Sequence, residues 1–141
     1  MKLIPHYRTH LLTACFLLSS VLSFSQGQGL EWQAESNILL SNETEVMLTS
    51  NLTKQGSVFT WEQIGYNTSE TITFNVSSTT GNWNAQNSTG ELNYVLNSTE
   101  TTATLTLDGN QDGVIAILII NGENAATTNS YTFYIETLTN L

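Results

Sequence analysis

Residues 107–121 read "LDGNQDGVIAILIIN": a glycine-punctuated acidic segment, Asp108 to Gly113, runs straight into an apolar stretch, Val114 to Ile120. Two readings compete for the acidic segment. Asp108-x-Asn110-x-Asp112-Gly113 matches the first half of a calcium-binding loop, with oxygen ligands at alternate positions and a glycine at the sharp turn. The position that should carry a bidentate glutamate is Ile119, however, and strand-forming residues follow where a helix should begin. Asp-Gly between two apolar alternating runs is a hairpin signal, so the segment is read as a turn between two strands. If calcium binds, its ligands are Asp108, Asn110 and Asp112, with affinity weakened by the missing carboxylate.

Outward from that turn, the dominant pattern has period two. "TATLTLD" places Ala103, Leu105 and Leu107 on one face. "ELNYVLN", "TITFNVS" and "SYTFYIET" do the same with Leu92, Tyr94 and Leu96, with Ile72, Phe74 and Val76, and with Tyr131, Phe133 and Ile135. "GLEWQAE", "TEVMLTS" and "SVFTWEQI" add Leu30, Trp32 and Ala34, then Val46 and Leu48, then Phe59 and Trp61. Alternation of this kind is what a half-buried strand requires. Turn clusters such as "NLTKQGS", "GYNTSE", "STTGN" and "QNSTGE" separate the runs, and no stretch after residue 25 has helical spacing. The spacing predicts an all-β domain, an antiparallel β-sandwich of roughly seven to nine strands, with a closed barrel as the alternative. Val114–Ile120 breaks the alternation and is read as a central strand covered on both faces, or else as a strand with one face kept for a partner.

Residues 1–25 read as an export signal: Lys2 and Arg8 precede the apolar run "LLTACFLLSSVLSF", and Ser23-Phe24-Ser25 gives a small-x-small cleavage pattern. The expected mature domain is 26–141, secreted to the periplasm or the cell surface. Leu12-Thr13-Ala14-Cys15 offers an alternative, a lipid anchor on Cys15. No transmembrane segment is expected in residues 26–141. That region holds one basic residue, Lys54, against twelve acids, a net charge of −11. Nucleic acid is therefore not an expected partner, because such a surface repels phosphates. The region also lacks His, Cys and Arg. A Ser-His-Asp triad, a thiol nucleophile, an imidazole-ligated zinc site and an arginine clamp are all excluded, and no enzyme is expected.

Aromatic residues in polar loops are the remaining candidates. "GNWNAQN" sets Trp83 between Asn82 and Asn84, and "GYNTSE" presents Tyr66. An indole or phenol face can stack on a sugar ring while neighbouring amides bond its hydroxyls. The competing reading packs Trp83 over a sheet end or into the core. Trp32 and Trp61 lie on apolar strand faces and read as core.

In strand count and spacing the domain resembles an immunoglobulin-like sandwich, without the buried cysteine pair of antibody domains. In size, signal and strand rhythm it is also similar to small exported curli-assembly accessory proteins, which are immunoglobulin-like and act on amyloid subunits. These resemblances imply a fold and a role by contact and carry no site residues. The function expected is a non-catalytic exported binding module that meets a protein or glycan partner. The alternatives are a fibre-assembly accessory or structural cell-surface protein, and a weak calcium-dependent β-module.

Overall fold

The computed structural model describes residues 29–122 and 127–141. The expected signal peptide and Cys15 lie outside the described residues. The described chain is all-β: β1 (Trp32–Ser41), β2 (Thr44–Gln55), β3 (Val58–Ile64), β4 (Ser69–Asn84), β5 (Thr89–Asn97), β6 (Thr102–Asn110), β7 (Gly113–Asn121), β8 (Asn129–Ile135) and β9 (Thr137–Asn140). The seven alternating runs quoted above fall into β1 to β6 and β8, and the unbroken apolar run into β7.

The layering differs from the expected immunoglobulin-like sandwich. Neighbours follow the order β2-β3-β4-β5-β6-β7-β8-β1-β9, and β1 also pairs with β2, so an eight-stranded antiparallel meander closes on itself with β9 as an added strand. The reason lies in β1, which is paired along both edges. One edge takes β2 along most of its length, from Trp32↔Lys54 to Ser41↔Thr44. The other takes β9 beside Trp32–Glu35 and β8 beside Leu39–Ser41. Two sheets packed face to face would leave β1 with an edge or a partner in one layer only; here it completes a ring.

Closure requires β1 to change face partway. Trp32, Ala34 and Ser36 point inward and are fully buried, and so is Leu39, an odd number of residues further on. The register against β2 shifts between Ser36 and Ile38. Opposite this point the chain between β8 and β9 makes the same change at Glu136. Asn37 fastens the two irregularities: its Nδ2 donates to Glu136 Oε2 at 2.9 Å, its Oδ1 accepts from Thr49 Oγ1 at 2.8 Å, and Glu136 N donates to Glu35 O at 2.9 Å. Bulges of this kind raise local twist and bend strands, which is what a small barrel needs of its walls. The turn from β1 to β2 adds curvature, with Asn42 (φ 47°) and Glu43 (φ 68°) both left-handed as the favoured tight hairpin demands.

The interior is filled by side chains. Trp32 packs against Phe59 and Tyr94, each with ring centroids 6.3 Å away, and its Nε1 donates to Tyr94 Oη at 2.9 Å. Trp61 packs against Tyr131 at 4.8 Å and Phe133 at 5.0 Å, and donates to Ser50 Oγ at 3.1 Å. Leu52, Phe74, Leu92, Leu96, Ala103, Leu105, Leu107, Ala116 and Leu118 complete the packing. Burial holds the Tyr94 phenol above its ordinary pKa, against a smaller opposing effect of the Trp32 hydrogen bond. One charged residue shares this interior: Lys54, in phase with Leu52, is 2% exposed.

Two features of the wall depart from the sequence reading. The apolar run of β7 is covered on one face only. Ala116 and Leu118 are buried inside, whereas Ile115, Ile117 and Ile119 are half-buried on the outer wall, opposite Tyr134, Thr132 and Ser130 of β8. A single closed layer has no second sheet to cover them. The second feature is the length of β4. Its first half, Ser69–Asn75, pairs with β3 and its second half, Asn75–Asn84, with β5. The last bond on the β3 side runs from Val76 N to Ser57 O, at 2.8 Å. Among the described residues, the edge of Ser77–Asn84 on that side has no strand beside it.

The Trp32–Tyr94 bond gives a direct test of the packing. Tyr94→Phe keeps the ring and leaves the Trp32 N–H buried without an acceptor, and chemical denaturation should show a loss of about 1–3 kcal/mol. An unchanged midpoint would mean that the indole is wet and the interior is open.

Candidate binding surface

Alternation in β2 turns Leu48, Ser50 and Leu52 inward, with Val46 in the same phase but exposed near the strand end, so Met47, apolar and out of phase, faces outward opposite Ile38 of β1. It is 74% exposed. On β3 the same logic turns Phe59 and Trp61 in and leaves Ile64 outside, paired with Thr49. The next residues form a short loop closed by Gly65 N donating to Thr68 O at 2.8 Å. Tyr66 stands at its tip, 99% exposed. Together Ile38, Met47, Ile64 and Tyr66 border a groove of about 570 Å³. Asn37, Thr49 and Glu136, the residues of the closing seam, supply its polar lining.

This groove combines apolar anchors with fixed polar groups. Methionine's unbranched thioether adapts to varied shapes, and tyrosine offers a rigid ring with a polar tip at small entropy cost. Asn37 and Glu136 are held by each other and by Thr49, so their free lone pairs point from a rigid part of the wall. The arrangement suits contact with another molecule. It contains no nucleophile paired with a base.

The residues expected to bind sugar do not come together. Trp83 lies in β4, in phase with Gly81 and Thr79 on the inner face, and is 8% exposed. Its ring lies over Gly109, where an added Cβ would strike both the indole and the Ser88 carbonyl. Packing at the barrel end is thus the arrangement found. Among the described residues, its buried Nε1 has no hydrogen-bond partner. Asn82 and Asn84 are exposed on β4, and Asn84 Oδ1 accepts the Gln86 backbone N–H at 3.0 Å. Tyr66 belongs to the opposite rim, separated from Trp83 by the length of β4, on the order of 40 Å at the usual rise per residue.

Asp108 to Gly113 forms a hairpin. Asn110 pairs with Gly113 across the turn, and Gly113 takes φ 137°, a conformation glycine tolerates best. Asn110 Oδ1 accepts the Asp112 N–H at 2.8 Å, and Asp108 sits in the ladder between Glu91 and Ile115. The three residues named as calcium ligands are therefore distributed over a strand and its turn. Among the described residues no group of three or more His, Cys, Asp or Glu is placed to hold a metal ion.

Met47 and Ile64 carry a signal in the sequence that differs from a sugar or metal motif: each is an apolar residue on the polar phase of an alternating strand. Compared with known proteins, the chain matches no family model and no curated protein.

Substitution separates the two aromatic candidates. Trp83→Ala empties a core position and should cost about 3–5 kcal/mol in denaturant melts, whereas Tyr66→Ala should stay within about 0.5 kcal/mol. Equal effects would contradict these placements. Titration of the protein with calcium should give no heat and no change in melting temperature, and saturable heat lost in Asp112→Asn would restore the metal loop.

Proposed function

We propose that this chain is a non-catalytic, exported binding module that meets a protein partner through the groove around Tyr66. The observation that carries the reading is the exposure of Met47 (74%) and Tyr66 (99%) on one rim of a barrel whose other large aromatics are mostly packed inside. Large apolar side chains gathered around a groove and rimmed by polar groups mark contact surfaces. Tyrosine and methionine are also the residue types enriched where proteins meet. The high negative charge supports a partner with a basic rim, since opposite potentials speed encounter and fix orientation.

A glycan partner is the weaker reading, because Trp83, its proposed stacking platform, is packed inside the barrel. A fibre-assembly accessory would be one particular case of protein contact and rests on no separate site. The absence of His, Cys and Arg after residue 25 supports a role without catalysis.

A photo-crosslinking residue in place of Tyr66 should yield a discrete protein adduct in the producing cells, while the same residue in place of Thr73, on the polar outer wall of β4, should not. Met47→Asp should reduce that adduct at least tenfold without changing the melting temperature. Equal labelling from both positions, or adduct formation indifferent to Met47→Asp, would contradict the proposal.

A further inference from the structure

Where β3 begins and β4 runs on without a neighbour, the wall opens into a cavity of about 350 Å³. Lys54 lines it, together with Glu31, Ser57, Ser77, Ser78 and Thr79. Lys54 is the only lysine or arginine after residue 8. Lys54 is 2% exposed, and its Nζ is not among the described polar atoms sealed from solvent without a partner, so what contact the ammonium keeps with solvent is through the cavity. Among the described residues, no hydrogen bond or ion pair engages its ammonium. The carboxylate it does feel, Glu31, is already held: Glu31 Oε1 accepts the Gly56 N–H at 2.8 Å.

An ammonium largely withdrawn from water and without a protein partner is costly, and such charges in proteins are paired, coordinated or neutralised. Here burial pulls the Lys54 pKa below its ordinary value, with Glu31 only partly opposing it. An incoming anion would offset the cost that the fold leaves standing. The cavity is in the size range of small-molecule sites. Its serine and threonine hydroxyls can donate to oxygen atoms, and the unpaired backbone edge of β4 beside it can take an extended ligand as an added strand. Glu31 disfavours a second negative charge at the same place.

We propose that the Lys54 cavity is a binding site for a singly charged carboxylate entering through the gap beside Ser77–Thr79 of β4, past the start of β3. The carboxylate belongs either to a small free acid or to the C-terminus of an extended peptide. The site lies at the opposite end of the barrel from Tyr66 and stands whether or not that groove binds a protein.

The test uses protein labelled only in lysine, with the Lys54 side-chain resonance identified by its absence in Lys54→Met. Probes are butyrate, butyramide, inorganic phosphate, and an N-acetylated pentapeptide of alanine and valine bearing either a free carboxylate or an amide at its C-terminus. The proposal expects a carboxylate probe to shift the Lys54 signal saturably and raise the melting temperature. The matching amide should bind at least tenfold more weakly, and phosphate more weakly than carboxylate. Butyrate binding with no gain from the peptide assigns the site to a small acid; tighter binding of the peptide acid assigns it to a chain terminus. Lys54→Met removes a buried charge, so it should remain folded with a raised melting temperature while losing carboxylate binding at least tenfold. Glu31→Gln, which keeps an acceptor for Gly56 N, should narrow the gap between phosphate and carboxylate. No shift with any acid, equal binding of acid and amide, or binding unchanged in Lys54→Met would overturn the proposal.

Discussion

Strand β1 has two edges, and both are occupied: β2 runs along one, and β8 followed by β9 along the other. Strands β2 to β7 need only their neighbours in sequence, which short turns bring together. β1 must also meet the end of the chain, and the long-range pairing costs loop-closure entropy that the local hairpins do not. The bond pair at Asn37, to Glu136 and Thr49, sits where β1 changes face and where the three strands of the seam come together. It fixes the place at which the inward-facing set moves from Ser36 to Leu39. Without that shift, Leu39 would turn out to solvent and Phe133 would lose its cross-strand neighbour in the core.

The filled interior follows from closure and then restricts function. An eight-stranded barrel encloses a space that side chains can just fill or that one small ligand can occupy. Three tryptophans, with Phe59, Phe74, Tyr94 and Phe133, take the first course. Chemistry with other molecules is therefore displaced to the outer wall, the rims and the gap beside β4. The groove at Tyr66 and the cavity at Lys54 arise from the two ways in which the wall is irregular: the face change at Asn37, which leaves Ile38 outside beside Met47, and the excess length of β4 over β3.

Strand positions were legible because period two is a local property, and the runs from Trp32 to Ile135 show it without help from the rest of the chain. Closure was not legible, since a sandwich strand and a barrel strand alternate alike; what distinguishes them is whether β1 finds a second partner. The "STTGN" cluster illustrates how local signals mislead. Gly81 marks no turn there. It continues β4 at φ 111°, where the Glu91 carbonyl crosses so closely that a Cβ could not fit. Reading that glycine as a turn placed Trp83 in a loop, and with it the expected sugar site. Lys54 was hidden in the same way, inside a cluster read as a turn, although its phase with Leu52 pointed inward. Of the two readings of Val114 to Ile120, the strand covered on both faces fails for a different reason: an unbroken apolar strand implies two covers only where a second layer exists.

The closed ring is tested most directly by nuclear Overhauser contacts of β1 in solution. A closed ring gives cross-strand backbone contacts from β1 on both sides at once, Trp32 to Lys54 and to Asn140, and Leu39 to Val46 and to Phe133, with β1 amides protected from exchange along both edges. Contacts from β1 to β2 alone, with its other edge exchanging freely, would contradict it.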